Sequence, residues 1–245
     1  MRTQSAPLLG GVDGRRAFTL FRSGTAHKVY IVPMQVREPF NAWSHLVGLL
    51  LAVLGAVGLL RLSSRPAEYV AFGIYGTTLV LLYAASAVYH AVPLPAERLR
   101  PLRTLDHIAI YFLIAGTYTP VGVLTLHGPF GWALLAVIWA IAAAGIPFKI
   151  RYLDAPVWLS TCIYLGMGHL ALLAAVPIAR TVGYQGLAWL VAGGLAYTIG
   201  AVIFTRERPD PFPRQLGFHG LWHVLVLIGS ACHFAFMVFH VVPRT

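Results

Sequence analysis

Four ionisable residues lie inside long apolar runs of this chain, and all four fall at the same end of their runs. They are His90, Asp106, His219 and His223. An ionisable group within a lipid-embedded helix is costly and marks a functional site by default. Three imidazoles and one carboxylate also make up the donor set of a zinc site that keeps a position open for water. His219 and His223 stand four apart, on one face of a helix. Ser86 and His90 share that spacing. We assign His90, His219 and His223 as metal ligands and zinc as the metal. Asp106 is expected to hold a water at the open position, or to ligate directly if protein fills that position. Ser86 is placed to hydrogen-bond to that water or to a reacting carbonyl.

The elements that must position these residues follow from the apolar pattern. Of 245 residues, 58% are hydrophobic and 11% are charged, against about 25% charged in an ordinary soluble domain. Apolar runs cover residues 44–62, 69–90, 105–124, 130–148, 157–177, 186–204 and 219–241. Each approaches the roughly 20 residues that a helix needs to cross the hydrocarbon layer. The expectation is an all-α integral membrane protein with seven transmembrane helices. A soluble reading would need seven buried helices with almost no polar face to cover them. The sequence predicts a leader at 1–43, a membrane domain at 44–241 and a short external tail at 242–245. Pro120 is expected to kink the third span, and Pro147 and Pro177 to end theirs.

Basic residues set the expected orientation. Fourteen fall in the first, third, fifth and seventh inter-span segments: Arg2, Arg15, Arg16, Arg22, Lys28, Arg37, Arg98, Arg100, Arg103, Lys149, Arg151, Arg206, Arg208 and Arg214. The opposite side holds four, Arg61, Arg65, Arg180 and Arg244. This bias predicts a cytoplasmic N terminus and an external C terminus. It places His90 at the inner end of span two, Asp106 and His107 at the inner start of span three, and His219 and His223 in the first turns of span seven. Ser44 and His45 open span one at the same depth. The formal charge of +10 then marks orientation and attraction to anionic lipid headgroups, and no nucleic-acid partner is expected. The first 30 residues lack the apolar core of a signal peptide and read as a mobile tail. The stretch "IVPMQVREPF" is expected along the membrane interface. Neither an internal repeat nor a P-loop or dinucleotide fingerprint is evident.

Simpler roles exist for each site residue. His219 and His223 also suit an interface, His90 a helix C-terminal cap, and Asp106 a first-turn carboxylate. A metal site explains all four together. His107 is read as a support beside the site or as interhelical packing, His45 as a weaker candidate for a support, and Asn41 and Ser44 as weaker still, suited to cap the first helix. His127, His169, His233 and His240 lie too far along their spans to share the same ion. Cys162 and Cys232 read as small packing residues inside spans.

The segments "SAVYH", "LDHIAIYFLIAGTYTP" and "HGLWHVLVLIGSACH" closely resemble the haemolysin III family, which is similar to the progestin and adiponectin receptors and, more distantly, to alkaline ceramidases. The resemblance runs from about "REPFNAWSHLVG" through the membrane domain. It implies seven membrane helices, an inner N terminus, zinc on His90, His219 and His223, Asp106 at a zinc-held water and Ser86 nearby. The activity it implies is zinc-dependent hydrolysis of an acyl or amide bond in a membrane lipid, with ceramidase-like chemistry. A membrane-perturbing or pore-forming cytolysin is the alternative from another class, and a receptor or structural zinc protein is the third. The expected location is a bacterial plasma membrane, with lipid as partner and the oligomeric state left open.

Overall fold

The computed structural model describes residues 16–22, 25–31, 36–213 and 215–244. Arg2 and Arg15 of the charge count lie outside the described residues, as do residues 32–35 of the expected interfacial stretch, Arg214, and Thr245 of the tail. The chain divides into two units, residues 1–35 and 36–245.

The first unit contains a hairpin where a mobile tail is expected. Strands β1 (Arg16–Arg22) and β2 (Thr25–Ile31) pair antiparallel, with Phe18 opposite Val29 and Leu20 opposite His27. The signal lies in two short runs rich in aromatic and branched residues, joined by the sequence Ser23-Gly24. The Arg and Gly content of the leader obscured it.

The second unit is all α. Its helices are α1 (Pro39–Leu62), α2 (Pro66–Ala91), α3 (Ala96–Pro120), α4 (Gly128–Arg151), α5 (Val157–His169), α6 (Ala175–Arg206) and α7 (Gly217–Phe236). Proline opens α1 and α2, where its missing N–H has no intrahelical acceptor to lose. Six helical runs are long and apolar enough to cross a membrane. The fifth, Val157–Arg206, is 50 residues long. A straight helix of that length would extend about 75 Å, more than twice a hydrocarbon core of roughly 30 Å. Gly183 breaks it, with φ 78° and ψ 169°, a conformation that only glycine adopts readily. The Thr205 hydroxyl donates to the Thr161 hydroxyl at 2.8 Å, so the end of the run meets its beginning. The run therefore folds back on itself instead of continuing straight.

Helices α1 to α4 pack in sequence, as do α5, α6 and α7; α5 also packs against α3, and α7 closes against α1. The crossings of α2 and α3 are mostly buried, whereas α1 and the α5–α6 run turn most of their surface outward. Leu50, Leu54, Leu172 and Leu173 are among the outward apolar side chains, as a lipid-facing surface requires. The chain is a multi-pass membrane protein.

Three proline and boundary expectations change. Pro147 lies inside α4, which continues to Arg151. Pro177 lies in the first turn of α6, which continues past it; a first-turn proline gives up no hydrogen bond. Helix α3 begins nine residues before its apolar window, because its first turns carry arginines outside the apolar layer. After Pro120 the chain winds more widely over Val121–Leu126.

Small residues let the helices approach. A Cβ on Gly48 would lie 2.6 Å from the Tyr83 ring, whereas one on Gly58 in the same helix meets nothing within 4 Å. Gly48→Ala is expected to destabilise the purified protein by about 1–3 kcal/mol through overpacking. Gly58→Ala is expected to be neutral or stabilising. Thermal unfolding in detergent, with both variants side by side, checks the pair.

Candidate metal centre

His90 sits in the last turn of α2, and His219 and His223 sit in the first two turns of α7. The start of α7 is defined locally. Gly217 takes φ 63°, and the Phe218 N–H donates to the Asp210 carboxylate at 2.8 Å. From that start the i, i+4 spacing turns both imidazoles towards the end of α2. The ring centroids of His90, His219 and His223 are 4.8–4.9 Å apart pairwise. One nitrogen from each lies within 4.8 Å of the others. Zinc–nitrogen bonds of roughly 2.0–2.1 Å set an upper limit of about 4.2 Å between two ligands, so the rings would have to draw together to hold an ion.

Two contacts determine which nitrogen faces the cluster. His90 is fully buried, and its Nδ1 lies 2.6 Å from the Glu38 carboxylate. Partial burial of Glu38 opposes its charge. Hydrogen bonds from His90 and Asn41, with the charges of His90 and Arg37, outweigh that and hold its carboxyl down at about 2. The carboxylate therefore accepts, Nδ1–H donates, and the lone pair is left on Nε2. That Nε2 is buried and has no hydrogen-bond partner. His223 follows the same logic: its Nδ1 lies 3.3 Å from the Asn41 carbonyl, which can only accept. Both rings thus present Nε2, oriented by a hydrogen bond at the far nitrogen, as metal-binding histidines usually are.

Asp106 and Ser86 adjoin this set. Asp106 stands outside the three-histidine group and interacts with the Ser86 hydroxyl and with His90. Ser86 is buried one turn before His90. His45 stacks on His223 at 3.7 Å, with planes 14° apart, and meets the Tyr83 ring edge-on at 5.1 Å. Phe204 of α6 packs against His219 at 5.1 Å. His107 stays outside the cluster, and its carbonyl accepts from the Tyr164 hydroxyl. Among the described residues, His127, His169 and His233 also stand outside it. Cys162 and Cys232 are free thiols, and Cys162 is exposed.

Sequence reasoning missed Glu38. It belonged to the expected interfacial stretch, of which Val36–Glu38 immediately precede α1. The Arg37 and Glu38 N–H groups instead donate to the carbonyls of Ala91 and His90, and the Arg37 guanidinium donates to the Tyr89 carbonyl at 2.7 Å. The usable signal was a lone acid immediately before "PFNAWSH". Asn41 lies in the first turn of α1 and Ser44 in the second, and Glu38 holds the cap position with no side-chain cap bond. Lys149, counted as a loop cation, is buried, and its ammonium donates to the Ser160 hydroxyl at 2.5 Å.

Glu38→Ala is expected to weaken zinc binding by about 10–100-fold, the usual cost of losing a group that orients a ligand. Competition with a chelator of known affinity measures it. Unchanged affinity would mean that the Glu38 contact is incidental to the cluster.

Comparisons with known proteins bear on the whole bundle. The family described as Haemolysin-III related matches residues 34–234. Hemolysin-3 of Bacillus cereus is 40% identical over 210 residues, covering 84% of this chain and 92% of the relative. The monocyte to macrophage differentiation factor of Homo sapiens is 31% identical over 198 residues, covering 79% of this chain and 80% of the relative. An adiponectin receptor protein of Drosophila melanogaster is 23% identical over 220 residues, covering 80% of this chain and 49% of the relative. With a match that spans the membrane bundle from Glu38 to His223, the chain belongs to the haemolysin III family.

Proposed function

We propose that this protein is a zinc-dependent membrane hydrolase that cleaves an acyl or amide bond of a lipid. The observation that carries the reading is the division of labour among the donors. Three imidazoles converge on one point, and a carboxylate, Asp106, remains beside them with a hydroxyl partner, Ser86. His90, His219 and His223 would hold the ion. Zinc, when bound, lowers the pKa of a water towards neutrality and polarises a carbonyl. Asp106 would orient the attacking water and accept its proton, and Ser86 would donate a hydrogen bond to the reacting oxygen. Membrane lipid is the proposed partner, because the cluster lies at one end of a bundle whose outer surface is apolar.

The arginine bias supports placing the histidine end on the cytoplasmic side of a bacterial plasma membrane, with basic segments against anionic headgroups. Cysteine labelling in sealed cells tests this: a cysteine at Arg100 should react only after permeabilisation. Reaction from outside would invert the topology.

The name of the Bacillus cereus relative favours a second reading, cytolysis. A pore within one chain needs a polar lumen. The bundle interior instead contains large buried side chains such as Phe72, Tyr111 and Ile138, which speaks against a single-chain pore and leaves an oligomer as the form that reading would take.

Purified wild type, Asp106→Asn and His219→Ala are compared in matched micelles, by metal analysis and by a lipid product screen. Wild type is expected to carry about one zinc per chain and to release fatty acid. Asp106→Asn should keep most of its zinc and lose at least 100-fold in turnover, the lower range for a general base. His219→Ala should lose zinc. Folded wild type that stays metal-free with zinc supplied would overturn the metal. Equal membrane lysis by wild type and Asp106→Asn, with no lipid product, would replace the hydrolase reading by the cytolytic one.

A further inference from the structure

The middle of the bundle contains a second group of polar side chains outside the three-histidine cluster. The Tyr83 hydroxyl donates to Ser230 Oγ at 2.8 Å, and the Tyr197 hydroxyl lies 2.8 Å from the same oxygen. Ser230 thus joins α2, α6 and α7 at one point. It stands seven residues beyond His223, two turns or about 10 Å along α7. Tyr75, two turns from Tyr83 on α2, lies close enough to interact electrostatically with both Tyr83 and Tyr197. His45 joins this group to the cluster, because it stacks on His223 and meets the Tyr83 ring. His233, one turn beyond Ser230, has its ring 5.4 Å from that of Tyr197.

Four polar atoms of this group are sealed from the surface and have no hydrogen-bond partner: the Tyr75 hydroxyl, both ring nitrogens of His45 and His233 Nδ1. Tyr75 is 1% exposed and His45 is 3% exposed. Buried polar groups nearly always find a partner, in protein or in ordered water. Lipid offers none. We propose that these atoms, with the Tyr83–Ser230–Tyr197 hydroxyls, bind a cluster of ordered internal water that reaches from His45 to mid-depth of the bundle. The chemistry of the lining selects water over other small ligands. Every group in it is a neutral donor or acceptor, so no carboxylate is present to neutralise a cation and no guanidinium or ammonium to hold an anion. A buried water typically makes about three hydrogen bonds, and hydroxyls and imidazoles can supply both donors and acceptors. The cluster adjoins the three histidines through His45 and lies further along α7 than they do. It would therefore supply water to a site whose mouth is occupied by lipid. That use rests on the hydrolytic reading, whereas the water itself does not.

X-ray hydroxyl-radical footprinting tests the proposal, because bound water generates radicals next to the side chains that hold it. The probe is the full chain in phosphatidylglycerol nanodiscs, with oxidation read by peptide mass spectrometry. Tyr118 is the dry control: it is buried, and its hydroxyl is satisfied by the carbonyls of Met167 and Gly168. Tyr152 and Tyr184, 60% and 84% exposed, give the rate for accessible tyrosines. Tyr75 and Tyr83 are expected to oxidise at least fivefold faster than Tyr118 and within tenfold of Tyr184. In Ser230→Ala and Tyr75→Phe, oxidation of Tyr83 should fall at least threefold. Wild-type Tyr75 and Tyr83 no more oxidised than Tyr118 would overturn the proposal, whatever the variants do. Rapid oxidation without any product in the lipid screen would leave the water in place and remove the hydrolase. Lipid cleavage with dry tyrosines would do the reverse.

Discussion

A bundle surrounded by lipid must satisfy its polar groups from within. That constraint explains why the histidine end is organised as it is. His90 is fully buried at the end of α2, where neither lipid nor bulk solvent can serve its ring. Glu38 provides for one nitrogen and leaves the other facing the neighbouring imidazoles. Glu38 in turn is held by Arg37 at 3.1 Å and by the Asn41 amide at 2.9 Å. Asn41 also accepts from His223 through its carbonyl. One short segment, Arg37–Asn41, thus ties the start of α1 to the end of α2 and the start of α7. Removing any member leaves a charge or a ring nitrogen uncompensated in a place where that is costly.

The sequence made the frame legible because membrane helices carry a strong one-dimensional signal. Long apolar runs marked the membrane helices, and the i, i+4 pair His219 and His223 lay on a face that could be predicted without knowing its neighbours. His90 was legible through parity alone: a second crossing ends on the side where a seventh begins. Asp106 and Ser86 were legible as polar residues at the same depth. Glu38 was not, since its role depends on a contact with a residue 52 positions away, and its local sequence looked like the approach to a membrane surface. Lys149 was misplaced for a related reason. A lysine near the end of an apolar run usually reaches towards water, but Ser160 of the next helix captures this one inside the bundle. Both failures concern polar groups whose partners lie on other elements.

The small residues show the same limit. Gly48 and Gly58 look alike in sequence, in one helix and ten positions apart. Only Gly48 faces a side chain, Tyr83, whose ring would collide with any Cβ there. Tyr83 is in turn the residue that meets His45 and bonds to Ser230. The closeness of α1 and α2 at Gly48 therefore affects more than packing, because it determines how near His45 comes to the interior hydroxyls.

The topology makes the site depend on a residue far from it. Helix α2 ends at the histidine end, and three further crossings, α3, α4 and α5, bring the chain to the opposite end. If Val157–Arg206 were one continuous crossing, α7 would start at that opposite end. His219 and His223 would then be separated from His90 by about the thickness of the hydrocarbon core, roughly 30 Å. The break at Gly183 instead lets the run fold back, so that the chain returns towards the histidine end before α7 begins. The Thr161–Thr205 contact records that return. The fold-back at Gly183 is accordingly part of what lets the three imidazoles meet. No local property of His90, His219 or His223 brings them together on its own.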